Sequence, residues 1–228
     1  MYFQIQIHNQ GKYTINESIL VVRGRLSFVF KCYNTLEVIF LKTSEELKKA
    51  LSWLCEDKNK IIDYGCGDGL LLIEALKEKE TARGFGIDIS EEAVKIAEEN
   101  AVKSCLKDRA NFRCGGVEIL KTIKDNRYEA VILSNVLDCV TPMDCYILLD
   151  HIKKIVKKDG KILVSVGPFL DKKELINSGA VMLNDELFEK EEDVFVRNLT
   201  TEKWLSILED YFELKERNGR LFLMINNK

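Results

Sequence analysis

Hydrophobic and polar positions change period along this chain, and the changes mark out its elements. Over residues 1–42 apolar residues alternate with polar ones or form short β-branched and aromatic runs: Phe3, Ile5 and Ile7, then Leu26, Phe28 and Phe30, then residues 36–41. A period of two reads as strand, so this segment is expected to form a small N-terminal β appendage. Thr43 then opens a helix, with Glu46 at capping-box spacing and Leu47, Ala50, Leu51 and Leu54 at helical intervals. From residue 60 onward, apolar runs and helical stripes take turns. Ile61-Ile62 and residues 84–88, 111–114, 130–133 and 161–165 read as strands. Ser90 caps a helix whose inner face is Ala93, Ile96, Ala97 and Ala101. Thr141 caps another, with Pro142 at its first position and Leu148, Ile152 and Ile155 turned inward.

Strands alternating with helices predict an α/β fold, a doubly wound and mostly parallel sheet covered on both faces. The almost fully apolar run at 130–133 fits a strand buried on both sides. Residues 167–198 break the rhythm. They are polar, rich in charge and without strong periodicity, and they read as an insertion or lid. A last helix starts near Leu199, and two apolar runs separated by Asn218-Gly219 suggest a closing hairpin. The expected division is an appendage over 1–42 and a main domain over 43–228, with the insertion near 167–198.

Composition narrows the partners. The 228 residues suit one large core, and Lys+Arg 34 against Asp+Glu 37 leaves a net charge of −3, too little positive charge to gather phosphates generally. Nucleic acid is therefore disfavoured as a partner. Seven scattered cysteines without a CxxC pair argue for reduced thiols, no metal site and a cytoplasmic location. The first residues lack the basic start and apolar core of a leader, and no run approaches the roughly 18 apolar residues of a membrane span.

The chemistry concentrates in Ile61-Ile62-Asp63-Tyr64-Gly65-Cys66-Gly67-Asp68-Gly69. An apolar strand reaches an acidic residue, then a glycine-rich turn, then the helical stripe from Leu70. This is how a doubly wound sheet brings bare backbone against a nucleoside. The spacing is GxGxG, since a dinucleotide fingerprint would need its third glycine where Leu70 stands. With this motif and the order of elements after it, the chain resembles the class I S-adenosylmethionine-dependent methyltransferases.

The resemblance implies a Rossmann-like seven-stranded sheet and S-adenosylmethionine as cofactor. It assigns Gly65, Gly67 and Gly69 to the loop beneath the cofactor, Asp63 to its ammonium group, Asp88 to both ribose hydroxyls and Ile89 to the adenine face. Where family members often carry an acidic residue after the third strand, this chain has Gly115-Gly116-Val117. Backbone near Gly116 and Val117, or the side chain of Glu118, would then read the adenine edge. Glu118 reads equally as a helix first-turn charge.

Ser134-Asn135-Val136-Leu137-Asp138-Cys139-Val140 resembles the segment that small-molecule methyltransferases place beside the transferring methyl, which makes Asn135 and Asp138 the catalytic candidates. Asp138 also reads as a solvated turn charge, and Cys139 as buried filler. The Asn-Pro-Pro-Tyr loop of amino-directed nucleic-acid enzymes and the Pro-Cys pair of cytosine-C5 enzymes are both missing. The expected function is methyl transfer to an oxygen or nitrogen of a small molecule. The alternatives are an RNA or protein methyltransferase that docks through the appendage, with Arg23 and Arg25 beside Phe28 and Phe30, and a noncatalytic cofactor-binding protein. Oligomeric state is left open.

Overall fold

A computed structural model describes residues 45–191 and 194–227. The β appendage expected over 1–42 and the Thr43 cap lie outside the described residues. Helix α1 (Glu45–Cys55) leads into β1 (Lys60–Tyr64), followed by α2 (Leu70–Glu78), β2 (Arg83–Asp88), α3 (Glu91–Lys103), β3 (Ala110–Cys114) and α4 (Val117–Thr122). Then come β4 (Tyr128–Ser134), a 3-10 turn (Leu137–Cys139), α5 (Pro142–Ile155) and β5 (Val156–Ser165). The insertion holds α6 (Lys172–Asn177), β6 (Val181–Met182), β7 (Leu187–Glu191) and β8 (Val194–Arg197), and the fold closes with α7 (Thr201–Glu209), β9 (Glu213–Asn218) and β10 (Leu221–Ile225).

Seven strands form one sheet in the order β3-β2-β1-β4-β5-β10-β9. The first five are parallel, and β10 runs antiparallel to both β5 and β9. The doubly wound sheet and the closing hairpin are thus as the sequence pattern predicts. Because β2 lies on one side of β1 and β4 on the other, the strand order reverses there, and a crevice opens at the carboxyl ends of these strands.

The strands are apolar on both faces because both faces are covered. Ile62, Val131, Leu133, Ile162, Val164 and Phe222 pack with α5 and α7 on one side. Ile61, Ala130, Ile132, Leu163 and Leu223 pack with α1 and α2 on the other. Each fully buried Leu or Ile contributes about 1.5–3 kcal/mol relative to exposure, so these two layers hold the strand ends, and hence the site, in place. The caps are where the sequence puts them: Ser90 Oγ accepts from the Ala93 amide and Thr141 Oγ1 from the Asp144 amide, both at 3.2 Å.

Two features differ from expectation. β5 begins at Val156 rather than at 161, because the chain bulges through Asp159, at φ 60°, and Gly160 while still pairing with β4. The insertion is built rather than irregular. β6, β7 and β8 form an antiparallel sheet whose inner face, Phe188 and Val196, packs on Leu175 and Ala180. Asn198 closes its base, accepting from the Leu170 amide at 2.9 Å and donating to the Leu170 carbonyl at 2.8 Å.

Candidate active site

The glycine loop is held from both sides of the crevice. Gly65 and Cys66 donate their amides to the Ile87 carbonyl at 2.8 and 3.0 Å, pinning the loop to β2. Gly67 donates to Asp88 Oδ2 at 2.8 Å, while Oδ1 of the same carboxylate takes the Ser90 amide at 2.9 Å. From α3, Asn100 Nδ2 bonds the Asp68 carbonyl at 3.0 Å; nothing local in the sequence marks Asn100 for this role. All three loop glycines have positive φ. Their surroundings differ. A Cβ on Gly65 would meet Val136 at 2.9 Å and one on Gly69 would meet Ala97 and Phe112 at 2.8 Å, whereas a Cβ on Gly67 would point into open space. Gly67 is thus where bare backbone faces the crevice.

Asp63, the last residue but one of β1, lies in the protein interior, and Asp88 ends β2 with its pKa raised by burial against the pull of the Ser90 and Gly67 amides. The Cys66 thiol between them is pushed up, first by burial and then by both carboxylates, so it stays protonated and is no nucleophile. Ile89, just past β2, leaves 67% of its surface exposed, an apolar platform beside the crevice. Across from it the Gly116 amide donates to Glu118 Oε1 at 2.6 Å, which places Glu118 at the first turn of α4 next to Val117.

Beyond β4 lies the second half of the site. Ser134 Oγ and Ser165 Oγ share a hydrogen bond at 2.8 Å, joining the ends of β4 and β5. Asn135 follows with φ 52°, its amide bonded to the Ser165 carbonyl at 2.8 Å. It is 5% exposed, and its Oδ1 has no hydrogen-bond partner among the described residues. A buried amide oxygen left unpaired costs about 1–3 kcal/mol, and a residue in a sparsely populated backbone region costs a similar amount. Both costs meet at one residue, and such costs cluster at functional sites.

Asp138 overturns the solvated-turn reading: it is 1% exposed, and its Oδ2 accepts from the Gly167 amide at 2.8 Å. Burial raises its pKa to about 6, opposed by the Gly167 amide and then by Arg220 and Arg197. It is therefore ionised at neutral pH yet close enough to titration to exchange a proton. Cys139 is buried and donates to the Asn135 carbonyl at 3.4 Å, and the six cysteines among the described residues are all free thiols. His151, late in α5, points the chemistry nowhere: the helix starts at the carboxyl edge of the sheet and has carried it away.

The insertion packs against the turn of this half. β8 packs against the 3-10 turn, and Arg197 at its end is buried over the Trp204 ring, 4.7 Å from the centroid. Paired residues share a sheet face, so Arg197 and Leu187 look the same way as Val181, Glu189 and Phe195, away from Phe188 and Val196. Neither Arg197 nor Arg220 stands in a motif that the sequence would reveal.

A family model described as "Methyltransferase domain" matches residues 56–211. The chain belongs to the class I S-adenosylmethionine-dependent methyltransferases. It is 22% identical over 190 residues to a tRNA N(3)-methylcytidine methyltransferase of Schizosaccharomyces pombe, covering 81% of this chain and 62% of that protein. It is 31% identical over 134 residues to a ribosomal protein L11 methyltransferase of Desulfitobacterium hafniense, covering 59% of this chain and 39% of that one. The chain therefore spans less than two thirds of either relative. An S-adenosylmethionine-dependent methyltransferase of Methanosarcina mazei shares the fold with a TM-score of 0.57 and 21% identity, over 75% of this chain and 91% of that one.

These relatives correct one expectation. They are named for a tRNA and for a ribosomal protein, which tells against a small-molecule acceptor and against dismissing nucleic acid. The net charge of −3 sums over the whole surface and is blind to the face that meets a partner. The missing Asn-Pro-Pro-Tyr loop excludes only enzymes that grip a base nitrogen in that way. Among the described residues, no helix is long and apolar enough to cross a membrane.

Proposed function

We propose that this protein transfers the methyl group of S-adenosylmethionine to a nitrogen or oxygen of a polypeptide. The observation that carries the polypeptide is the outer part of the insertion, where Val181 and Leu183 are 60% and 48% exposed and Leu183 adjoins Leu187. Exposed apolar side chains are what a protein partner covers, which favours a polypeptide over a phosphate backbone. The kinship with a tRNA methyltransferase favours RNA as the second reading.

Three features support the fit of the cofactor. The open face of Gly67 admits close approach. Asp88 uses one lone pair of each oxygen on an amide and keeps others for the two ribose hydroxyls. Asp63 offers a carboxylate for the ammonium group, Ile89 an apolar surface for adenine, and Gly65, Gly69, Gly116 and Val117 the backbone around them. When bound, the cofactor supplies a sulfonium that makes its methyl carbon strongly electrophilic.

The residues beyond β4 then orient the acceptor and exclude water from it. Asn135, with a free amide oxygen, accepts a hydrogen bond from the incoming N–H or O–H. Asp138 takes the proton that the acceptor loses. Holding the partners in line supplies much of the acceleration, on the order of 7–11 kcal/mol for well-positioned groups.

The test is transfer from tritium-methyl-labelled S-adenosylmethionine into a cell extract, followed by protease or ribonuclease digestion of the precipitated macromolecules. Counts released by protease alone are expected. Counts released by ribonuclease alone would replace polypeptide with RNA, and the absence of macromolecular counts would overturn both.

A further inference from the structure

β4 and β5 end side by side, and a pair of hydroxyls joins their ends. Ser134 and Ser165 are register partners, and their Oγ atoms lie 2.8 Å apart. Ile132 and Leu163, two residues earlier on the same strands, pack with α1 and α2, so the serines share that face of the sheet. One step on, the Asn135 amide donates to the Ser165 carbonyl at 2.8 Å, and there the chain turns away with φ 52°. Further along, the Gly167 amide holds Asp138 Oδ2 at 2.8 Å. The end of β5 thus fixes the post-β4 segment at residues 134, 135 and 138.

Stability alone does not explain the serines. The run before Ser165 is Ile162-Leu163-Val164, all buried, and Ser165 itself is 3% exposed. A hydrogen bond between two hydroxyls stabilises a fold less than a valine side chain buried in the same space would. What the hydroxyls add is direction. A single amide–carbonyl bond lets a strand end pivot about it, and a second bond on the same register pair, between side chains, removes that freedom at the residue before the turn. Cys139 Sγ, donating to the Asn135 carbonyl at 3.4 Å, closes the turn from its far side.

We infer that Ser165 is a positioning residue for methyl transfer: its hydroxyl on Ser134 and its carbonyl on the Asn135 amide set the angle at which the chain leaves β4, and so aim the Asn135 side chain at the acceptor. This rests on the reading of Asn135 as the acceptor contact. Ser165 acts through Asn135, whereas the glycine loop is held by its own bonds to β2 and Asp88. Transfer geometry and cofactor binding are therefore set by separate contacts.

The experiment uses the full chain with S165V, S165T, S134A, N135A and the S165V/N135A double variant. Exchange of the Asn135 amide is followed by NMR, S-adenosylhomocysteine binding by calorimetry, stability by urea unfolding, and transfer by the initial rate of tritium-methyl incorporation into extract protein. S165V is expected to speed exchange at Asn135 and to slow transfer, each by about tenfold or more, the size of one lost hydrogen bond. Its binding should stay within about threefold. Its unfolding midpoint should equal or exceed that of the wild type, because valine suits a buried strand. S165T, which keeps the hydroxyl, should restore both exchange and rate. In the N135A background S165V should slow transfer no further, since the two residues act through one set of contacts.

Wild-type exchange at Asn135 in S165V, with or without an acceptor in hand, would overturn the inference. So would an S165T variant as slow as S165V, or an added loss of rate in the double variant. Should S165V fail to fold, S134A decides by the same exchange and rate, because it removes the same bond from the half-buried side of the pair. The underlying reading fails separately, if N135A transfers methyl at the wild-type rate; a slow N135A beside an S165V of wild-type rate sinks the positioning role alone.

Discussion

The Gly67 amide donates to Asp88 Oδ2 at 2.8 Å, so the apex of the glycine loop is fastened to the end of the neighbouring strand. Two elements that would each contact a cofactor are thereby one rigid object before anything binds. Asp88 holds its place through burial and through two amides, Gly67 and Ser90, rather than through a cation.

Asp88→Ala is expected to weaken S-adenosylhomocysteine binding by about 10- to 100-fold, since hydrogen bonds to a charged group are worth about 1.5–3 kcal/mol and about 1.4 kcal/mol is tenfold. It should also lower stability by about 1–3 kcal/mol, because two amides lose their acceptor. Calorimetry and urea unfolding measure the two. Full affinity in the variant would remove Asp88 from the ribose role.

Gly67→Ala and Gly69→Ala should separate binding from folding. At Gly67 the new methyl meets nothing within 4 Å, so the fold should pay only the left-handed backbone, about 1–2 kcal/mol, while the cofactor is pushed away. At Gly69 the methyl would press on Ala97 and Phe112 at 2.8 Å, adding an overpacking cost of about 1–3 kcal/mol. Comparing unfolding midpoints with dissociation constants tests this. A Gly69 variant as stable as the Gly67 variant would contradict the packing argument.

The elements that sequence makes legible are those fixed by neighbours in the chain. Ser90 and Thr141 cap the helices they precede, and the run at 130–133 lies buried between two layers. Asp138 was illegible because its burial comes from afar: the Gly167 amide that fixes its carboxylate and the β8 strand that packs on its turn arrive only once β5 and the insertion are in place. The insertion's sheet was hidden because β6 has two residues and β7 sets Leu187 and Phe188 side by side before charged residues, with no alternation to mark a strand. The acceptor class was illegible because a net charge carries no positions.

Asp138 should leave its mark on stability. Its folded pKa of about 6 lies above the ordinary 3.8, so the folded protein keeps a proton that the unfolded chain has lost. Between about pH 4 and pH 6 stability should therefore fall as pH rises, by up to about 3 kcal/mol at 1.36 kcal/mol per unit. Below that window the contribution is fully present and no longer varies with pH, since both states are protonated. Urea unfolding across the range should show the fall in the wild type and a flatter profile in D138N. Methyl transfer should run the other way, rising as pH passes about 6 and the carboxylate becomes free to take a proton.

Asn135→Gly should make the protein more stable and less active. Glycine accepts φ 52° without the steric cost that any side chain brings there. The substitution also removes a buried oxygen that has no hydrogen-bond partner among the described residues, so a gain of about 0.5–2 kcal/mol is expected. If the amide serves the acceptor, turnover should fall by about tenfold or more while cofactor binding stays within about twofold, because the contact counts only when acceptor and methyl are aligned. Opposite movements of stability and rate are what a strained residue kept for function produces. A variant that loses stability but keeps its rate would show that Asn135 is part of the scaffold, and the acceptor would then have to be oriented by the insertion's face instead.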